Sequence, residues 1–391
     1  MLDFSRQYAP LREEILRAIT EVCDSQSFIL GPRVASFETA AAAACASAFS
    51  IGCGSGTDAI WLALVSAGIG DSTSSAPAGT VSDAVITSPF TFFASASAIL
   101  RAGARPLFAD IDPRTFNLSA ESVAEVLRSP SCPPVKAALP IHLFGQCVDW
   151  DAFEALTLNQ PNFLLIEDAA QAFGASWNSP GQPTRLAGSL GAAAAFSFYP
   201  TKNLAAFGEA GLVTTSNSGF AARAGALRNH GMTRRYFHDE VGWNSRLDAI
   251  QAAVLEVKLR YVPQGNQRRR ELAARYCQLF QEAGLTAPTT SEGVVLPFTD
   301  PRATHIFHQY VIRAPRRDDL RSYLTARRIG SEIYYPVPLH LQAALKDLGY
   351  KPGDFPHAEA AAIEVLALPM YPELRDDEQQ AVVEAIRTFY A

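Results

Sequence analysis

The stretch Ser197-Phe-Tyr-Pro-Thr-Lys202-Asn203 decides how the chain is read. The small and apolar run from Gly191 to Phe198 predicts a buried strand, which delivers a serine and then a lysine into a turn. A buried, unpaired ammonium is costly and tends to lose its proton. Lys202 is therefore a candidate nucleophilic amine, the group that forms Schiff bases with carbonyl compounds. Taken alone, the same residue also reads as a lysine whose stem follows the strand end while its head reaches water.

The neighbouring stretches weigh on that choice. Phe163 to Ala175 predicts a strand ending in Glu167-Asp168, followed by small residues and Gln171. An aspartate at a strand end among apolar neighbours calls for a cationic partner, or else caps a helix. In Gly52-Cys-Gly-Ser-Gly-Thr-Asp-Ala-Ile-Trp-Leu-Ala-Leu64 the glycines permit a tight turn, and a buried helix is expected to start near Thr57. The free N–H groups of such a helix start, with the Thr57 hydroxyl, can hold a phosphate or simply form a cap.

Further strands are expected at Ala84–Thr87, Arg105–Ala109, Val135–Leu143, Ala192–Phe198 and Gly211–Thr215, separated by helical or loop stretches. Short apolar runs alternating with helices indicate an α/β fold with a mostly parallel sheet covered on both faces. Ligands gather at the carboxyl ends of such strands, where Asp110, His142, Asp168 and Lys202 all lie. Helices are expected over 10–24 and from Ser36 to Ala48, and a long one over 244–261, where Leu247, Ile250, Val254, Leu255 and Leu259 share a face. Beyond about residue 262 the pattern changes. Strands are expected at 305–313 and 329–335, and helices at 317–328 and 376–390, which predicts a smaller α+β domain. The expected division is 1–261 and 262–391. Asp71–Ser82, rich in Ser, Pro and Gly, is expected to be a surface loop.

A chain of 391 residues exceeds the usual limit of a single core, so two domains agree with its length. Hydrophobic content of 48% with 18% charged residues describes a soluble globular protein, and a net charge of -6 argues against a nucleic-acid partner. No apolar stretch is long enough for a membrane span. The charged N-terminal residues argue against a signal peptide, and the six scattered cysteines suit a reducing cytoplasm. His305 and His308 lack a third ligand nearby, so no metal site is expected.

Together with Phe28-Ile-Leu-Gly-Pro, Thr91-Phe-Phe-Ala, Pro140-Ile-His-Leu-Phe-Gly-Gln, Arg228-Asn-His-Gly, Asn244-Ser-Arg-Leu-Asp, Tyr335-Pro-Val-Pro-Leu-His-Leu-Gln and Leu368-Pro-Met-Tyr-Pro, these motifs resemble, nearly end to end, the DegT/DnrJ/EryC1/StrS family of pyridoxal-phosphate sugar aminotransferases. The resemblance implies an aspartate-aminotransferase-like fold, type I among pyridoxal-phosphate enzymes. It implies pyridoxal 5'-phosphate as cofactor, with pyridoxamine 5'-phosphate in the half-reaction. It also implies that Lys202 carries the cofactor and moves a proton, while Asp168 pairs with the ring nitrogen. Gln171 would lie near the ring oxygen, Phe92 would stack on the ring, and Gly56, Thr57 and Ser197 would hold the phosphate. Asn244 would reach the cofactor phosphate of a neighbouring subunit, implying a homodimer. Arg246 and His340 would contact the substrate. L-Glutamate and a nucleoside-diphosphate keto-sugar are the implied reactants, with a 3-keto sugar favoured by the form of the lysine and His340 motifs.

The chain departs from the family in Ala205-Ala-Phe-Gly-Glu-Ala, where relatives usually have Gly-Ala and Gly-Asp-Gly-Gly. Two rival expectations are a sugar dehydratase of the same fold and a catalytically silent regulatory protein. Retention of Lys202 argues against the first, and retention of both Lys202 and Asp168 argues against the second.

Overall fold

The structure, a computed structural model, describes residues 2–70, 83–158, 160 and 162–391. The expected loop at Asp71–Ser82 lies outside the described residues.

A seven-stranded sheet is the frame. Its strands are β1 (Phe49–Cys53), β2 (Ala84–Thr87), β3 (Arg105–Phe108), β4 (Val135–Leu139), β5 (Leu164–Asp168), β6 (Ala193–Ser197) and β7 (Gly211–Thr215), in the order β1-β7-β6-β5-β4-β2-β3. The run from β3 through β6 is parallel, whereas β7 pairs antiparallel with both β6 and β1. Period-two alternation explains why these strands look uniformly apolar. In β6, Ala193 and Ala195 join the core on one face while Ala194 and Phe196 join the core on the other. Helix Gly56–Ser66, buried along nearly its whole length, lies in the core that takes Ala193 and Ala195.

Several expected boundaries move, each for a physical reason. The strand expected through Leu143 ends at Leu139 because Pro140 has no N–H for the ladder. The helix expected from Asn244 starts at Ala249. Its first residues are committed elsewhere: Ser245 N–H donates to Arg228 O at 2.9 Å, and Asn244 bridges Asn229. β1 and the antiparallel strand Val365–Leu368 were not expected. The strand anticipated at 305–313 reduces to Tyr310–Arg313, which pairs with Val365–Leu368. Residues 329–335 make only one bridge, Glu332 to Ala367, before the chain leaves the sheet.

A further core is built around that two-stranded sheet by helices Arg317–Ala326, Pro356–Glu364 and Asp376–Tyr390. It also takes Phe90, Phe108 and Phe144 from the first half of the chain. Helix Val262–Glu282 joins the two regions: Val262 packs in the core behind β6, and Leu272, Tyr276 and Phe280 pack in the later one.

Candidate active site

Ser197 ends β6, and the chain turns at once, with Lys202 N–H donating to Tyr199 O at 2.8 Å. This turn leaves Lys202 partly buried. Loss of hydration lowers its pKa from 10.5 to about 8, and the nearby Asp168 carboxylate pulls the other way. Desolvation wins, so Lys202 is a usable nucleophile near neutral pH.

Asp168 ends β5, the strand next to β6. It is 4% exposed, its Oδ2 accepts from Ser95 Oγ at 2.7 Å and its Oδ1 from Ala170 N–H at 3.2 Å. Burial raises its pKa; the two hydrogen bonds, Lys202 and His142 offset this only in part. The carboxylate is thus undersupplied with positive charge.

Its neighbour Glu167 points to the other side of the strand and is fully supplied. One oxygen accepts from Leu190 and Gly191 N–H, both at 2.9 Å, and the other from Gly188 N–H at 2.8 Å and His142 Nε2 at 3.0 Å. Val148 N–H donates to His142 Nδ1 at 3.2 Å, which leaves the imidazole proton on Nε2. His142 therefore supports the frame. Asp110 does likewise, capping helix Pro356–Glu364 by accepting from His357 and Ala358 N–H at 2.9 and 3.0 Å.

The third component is the start of helix Gly56–Ser66, capped by Ser55, whose Oγ accepts from Asp58 N–H at 3.1 Å. Gly56 and Thr57 N–H have no acceptor four residues earlier within the helix. A Cβ on Gly56 would lie 2.5 Å from Ser197 Cβ, so only glycine lets this helix start meet the end of β6. Thr57 is partly buried beside it.

Gln171 closes another side: its Oε1 accepts from Phe144 N–H at 2.7 Å and its Nε2 donates to Tyr335 Oη at 3.1 Å. Phe92 is 61% exposed, with its ring 6.3 Å from that of Tyr335. Asn244 is exposed, and Arg246 Nη1 donates to Asn229 Oδ1 at 3.1 Å. His340 is buried, its Nε2 tied to Glu359 at 3.0 Å and its ring packed edge-on to Phe355, while its Nδ1 has no hydrogen-bond partner among the described residues.

Ser95 and Tyr335 were missed as site residues, although Ser95 directly follows the Thr91-Phe-Phe-Ala motif and Tyr335 opens another. Also unforeseen is the chain of amides behind the lysine. Asn203 donates to Asn266 Oδ1 at 2.8 Å and meets His308 Nδ1 at 3.1 Å, while Asn266 donates to Phe173 O at 3.1 Å. Burial, aided by the charges of Lys202 and Arg269, pushes the His308 pKa well down, so this histidine is neutral.

Comparison with known proteins agrees with this geometry. Residues 10–387 match the DegT/DnrJ/EryC1/StrS aminotransferase family. A "Pleiotropic regulatory protein" of Geobacillus stearothermophilus is 44% identical over 100% of this chain and 98% of its own length. A dTDP-3-amino-3,4,6-trideoxy-alpha-D-glucose transaminase of Streptomyces venezuelae is 38% identical over 99% of this chain and 94% of its own. The crystal structure of S. venezuelae DesV in complex with a ketimine intermediate superposes with a TM-score of 0.89, at 38% identity, covering 99% of this chain and 97% of that one. A match spanning almost every residue, on a sheet whose strand ends bring Lys202, Asp168 and the Gly56 helix start together, shows that this chain belongs to the DegT/DnrJ/EryC1/StrS aminotransferase family.

Proposed function

We propose that this protein moves an amino group from L-glutamate to the keto carbon of a nucleoside-diphosphate sugar, at C-3, using pyridoxal phosphate. The observation that carries the proposal is a partly buried lysine in the turn after β6, beside a buried aspartate at the end of the adjacent parallel strand β5. The residues fit the cofactor. Asp168 lacks positive charge that a pyridine N–H would supply, and the close meeting of Gly56 with Ser197 sets free N–H groups beside a hydroxyl. When bound, the cofactor supplies the electron sink that makes both halves of the transfer possible. Asp168 would hold the ring nitrogen; Gly56, Thr57 and Ser197 the phosphate; Phe92 a ring face; and Gln171, itself positioned by Phe144 and Tyr335, the ring oxygen. Lys202 Nζ would take the cofactor's aldehyde and later carry a proton to and from the reacting carbon. Arg246 and His340 are kept as substrate contacts. The C-3 position rests on the transaminase relative and on the forms of the motifs around Lys202 and His340.

Purified holoenzyme should lose its visible cofactor absorbance on addition of L-glutamate and regain it with a 3-keto nucleotide sugar, giving an amino sugar identified by mass. A cofactor band that glutamate leaves unchanged would favour the regulatory reading, which the Geobacillus relative's name keeps in view. The lysine's pKa adds a second test. The neutral amine fraction falls about tenfold per pH unit below the pKa. Cofactor loading into the apoprotein should therefore slow by that factor below about pH 8 and level off above it. A loading rate unchanged from pH 6 to 9 would contradict a free amine of lowered pKa.

A homodimer with shared sites belongs to the same proposal. Phe28, Ile29, Tyr236, Phe237, Val241 and Trp243 are all exposed apolar residues, and Trp243 immediately precedes Asn244. Such exposure supports a covering partner. Two-fold symmetry makes each contact reciprocal. A Lys202→Ala chain mixed with an Asn244→Glu chain should then form hybrids with one intact site, restoring roughly a quarter of wild-type activity at random exchange. Hybrids confirmed by mass but inactive would remove Asn244 from the partner's site. The division into units 1–261 and 262–391 is kept, supported by the core centred on Tyr310–Arg313, which residues such as Phe90 and Phe144 join from the first unit, and a cytoplasmic location by six unpaired cysteines.

A further inference from the structure

Lys202 is not the only buried amine. Lys258, in the last turn of helix Ala249–Leu259, is 8% exposed and has no carboxylate within ion-pair distance among the described residues. Its Nζ sits 4.7 Å over the Phe207 ring. A cation–π contact offsets only a part of what removing an ammonium from water costs.

Lys258 lines a cavity of about 400 Å³ together with Gln7, Asn203, Asn266, Arg269 and Glu373. Arg269 is 3% exposed and likewise has no carboxylate at ion-pair distance among the described residues. Its Nη1 donates to the carbonyls of Phe307, His308 and Met370 at 3.0 to 3.3 Å, which satisfies hydrogen bonding without neutralising charge. Arg268, also on the wall, is already matched to Asp376 at 3.2 Å and Glu271 at 3.5 Å. Two buried cations thus border one cavity whose wall carries a single partly buried carboxylate, Glu373, and Lys258 also borders the neighbouring cleft at Phe207. Burial lowers the pKa of both, to about 8 for Lys258 and about 10 for Arg269, as expected for charges short of counter-charge.

We propose that this cavity is an anion site separate from the cofactor's, taking a phosphate group that pairs with Lys258 and Arg269. Its amide lining, Gln7, Asn203 and Asn266, suits the remaining oxygens and the volume leaves room for a small phosphorylated metabolite. Asn203 forms part of the wall directly after Lys202. A second, smaller cleft lined by Lys202 shares Gln7, Arg269 and Glu373 with it. An anion bound here would sit behind the lysine turn. The inference does not depend on the identity of the sugar substrate.

The test is calorimetric titration of phosphate-free holoenzyme, its cofactor in place, with inorganic phosphate and separately with ribose 5-phosphate. Wild type should bind one per chain. Tighter binding of the sugar phosphate would point to a metabolite as the natural occupant, and equal binding to free phosphate. Lys258→Met, which keeps the stem, should weaken either at least about tenfold while leaving bleaching by glutamate unchanged. Glu373→Gln should act in the opposite direction and tighten binding several-fold, which keeps the proposal testable if the Lys258 variant does not fold. No binding by wild type, equal affinity in Lys258→Met, or unchanged or weaker affinity in Glu373→Gln would overturn it. So would a homodimer crystal structure in which a carboxylate of the partner chain occupies the cavity beside Lys258.

Discussion

Lys202→Ala is expected to lower kcat/KM by at least about four decades, since one substitution removes both the carbonyl-capturing amine and the proton carrier. Proton transfer alone is worth about two to four decades, and the lost carbonyl-capturing amine comes on top of that. The variant should fold, because Lys202 makes no side-chain hydrogen bond among the described residues and its backbone bond to Tyr199 survives an alanine. It should still take up pyridoxamine phosphate through the Gly56 helix start and Asp168, which do not involve the lysine. Single-turnover assay of the variant, purified free of wild-type protein, checks the expectation. Turnover within tenfold of wild type would remove Lys202 from the chemistry.

Glu167→Gln, next to Asp168 in sequence but on the other face of β5, is expected to act on stability. The native carboxylate accepts from three N–H groups and from His142 Nε2, at 2.8 to 3.0 Å, in a fully buried place. An amide offers one oxygen and turns an NH₂ toward donors. Either Leu190 and Gly191 or Gly188 and His142 then lose their acceptor and face another donor. Leaving buried donors unsatisfied costs about 1–3 kcal/mol each, so a loss of about 3–5 kcal/mol is expected. The midpoint of urea unfolding, measured at one protein concentration with cofactor bound, should fall by more than 1 M for an m-value of about 3 kcal/mol/M. An unchanged midpoint would mean that Glu167 does not hold the loop after Gly188 to the sheet.

The two carboxylates illustrate how differently neighbouring residues can be set. Glu167 is saturated with donors and serves the fold. Asp168 has two donors, a raised pKa and a nearby amine, and remains available to a ligand. Strand alternation sends them to opposite faces, and only Asp168 lies on the face toward Lys202.

Much of this was legible in the chain by itself. The Gly191–Phe198 run, the strand ending in Asp168 and the glycine-led helix are local signals. Apolar periodicity, turn residues and β-breaking prolines act within a few residues, so β2, β7 and helix Asp376–Tyr390 have the expected bounds. Pro140 ended β4 early by a local cause, but two other boundaries moved through partners distant in sequence: Arg228 O holds Ser245 N–H in place of a longer helix, and Glu332 pairs with Ala367 alone.

The side-chain environment was a different matter. Ser95 reaches Asp168 across 73 residues, Tyr335 reaches Gln171 across 164, and Lys258 and Arg269 meet at one cavity with Gln7. The burial of His340 beside Phe355 and Glu359 is likewise set by packing. The sequence determined that a lysine, an aspartate and a phosphate-ready helix start would stand at strand ends. Only the tertiary structure decided which groups lose water, which gain a partner and which are left uncompensated. Strand and turn propensities are properties of neighbouring residues, whereas pKa, burial and hydrogen-bond supply depend on segments brought together by packing.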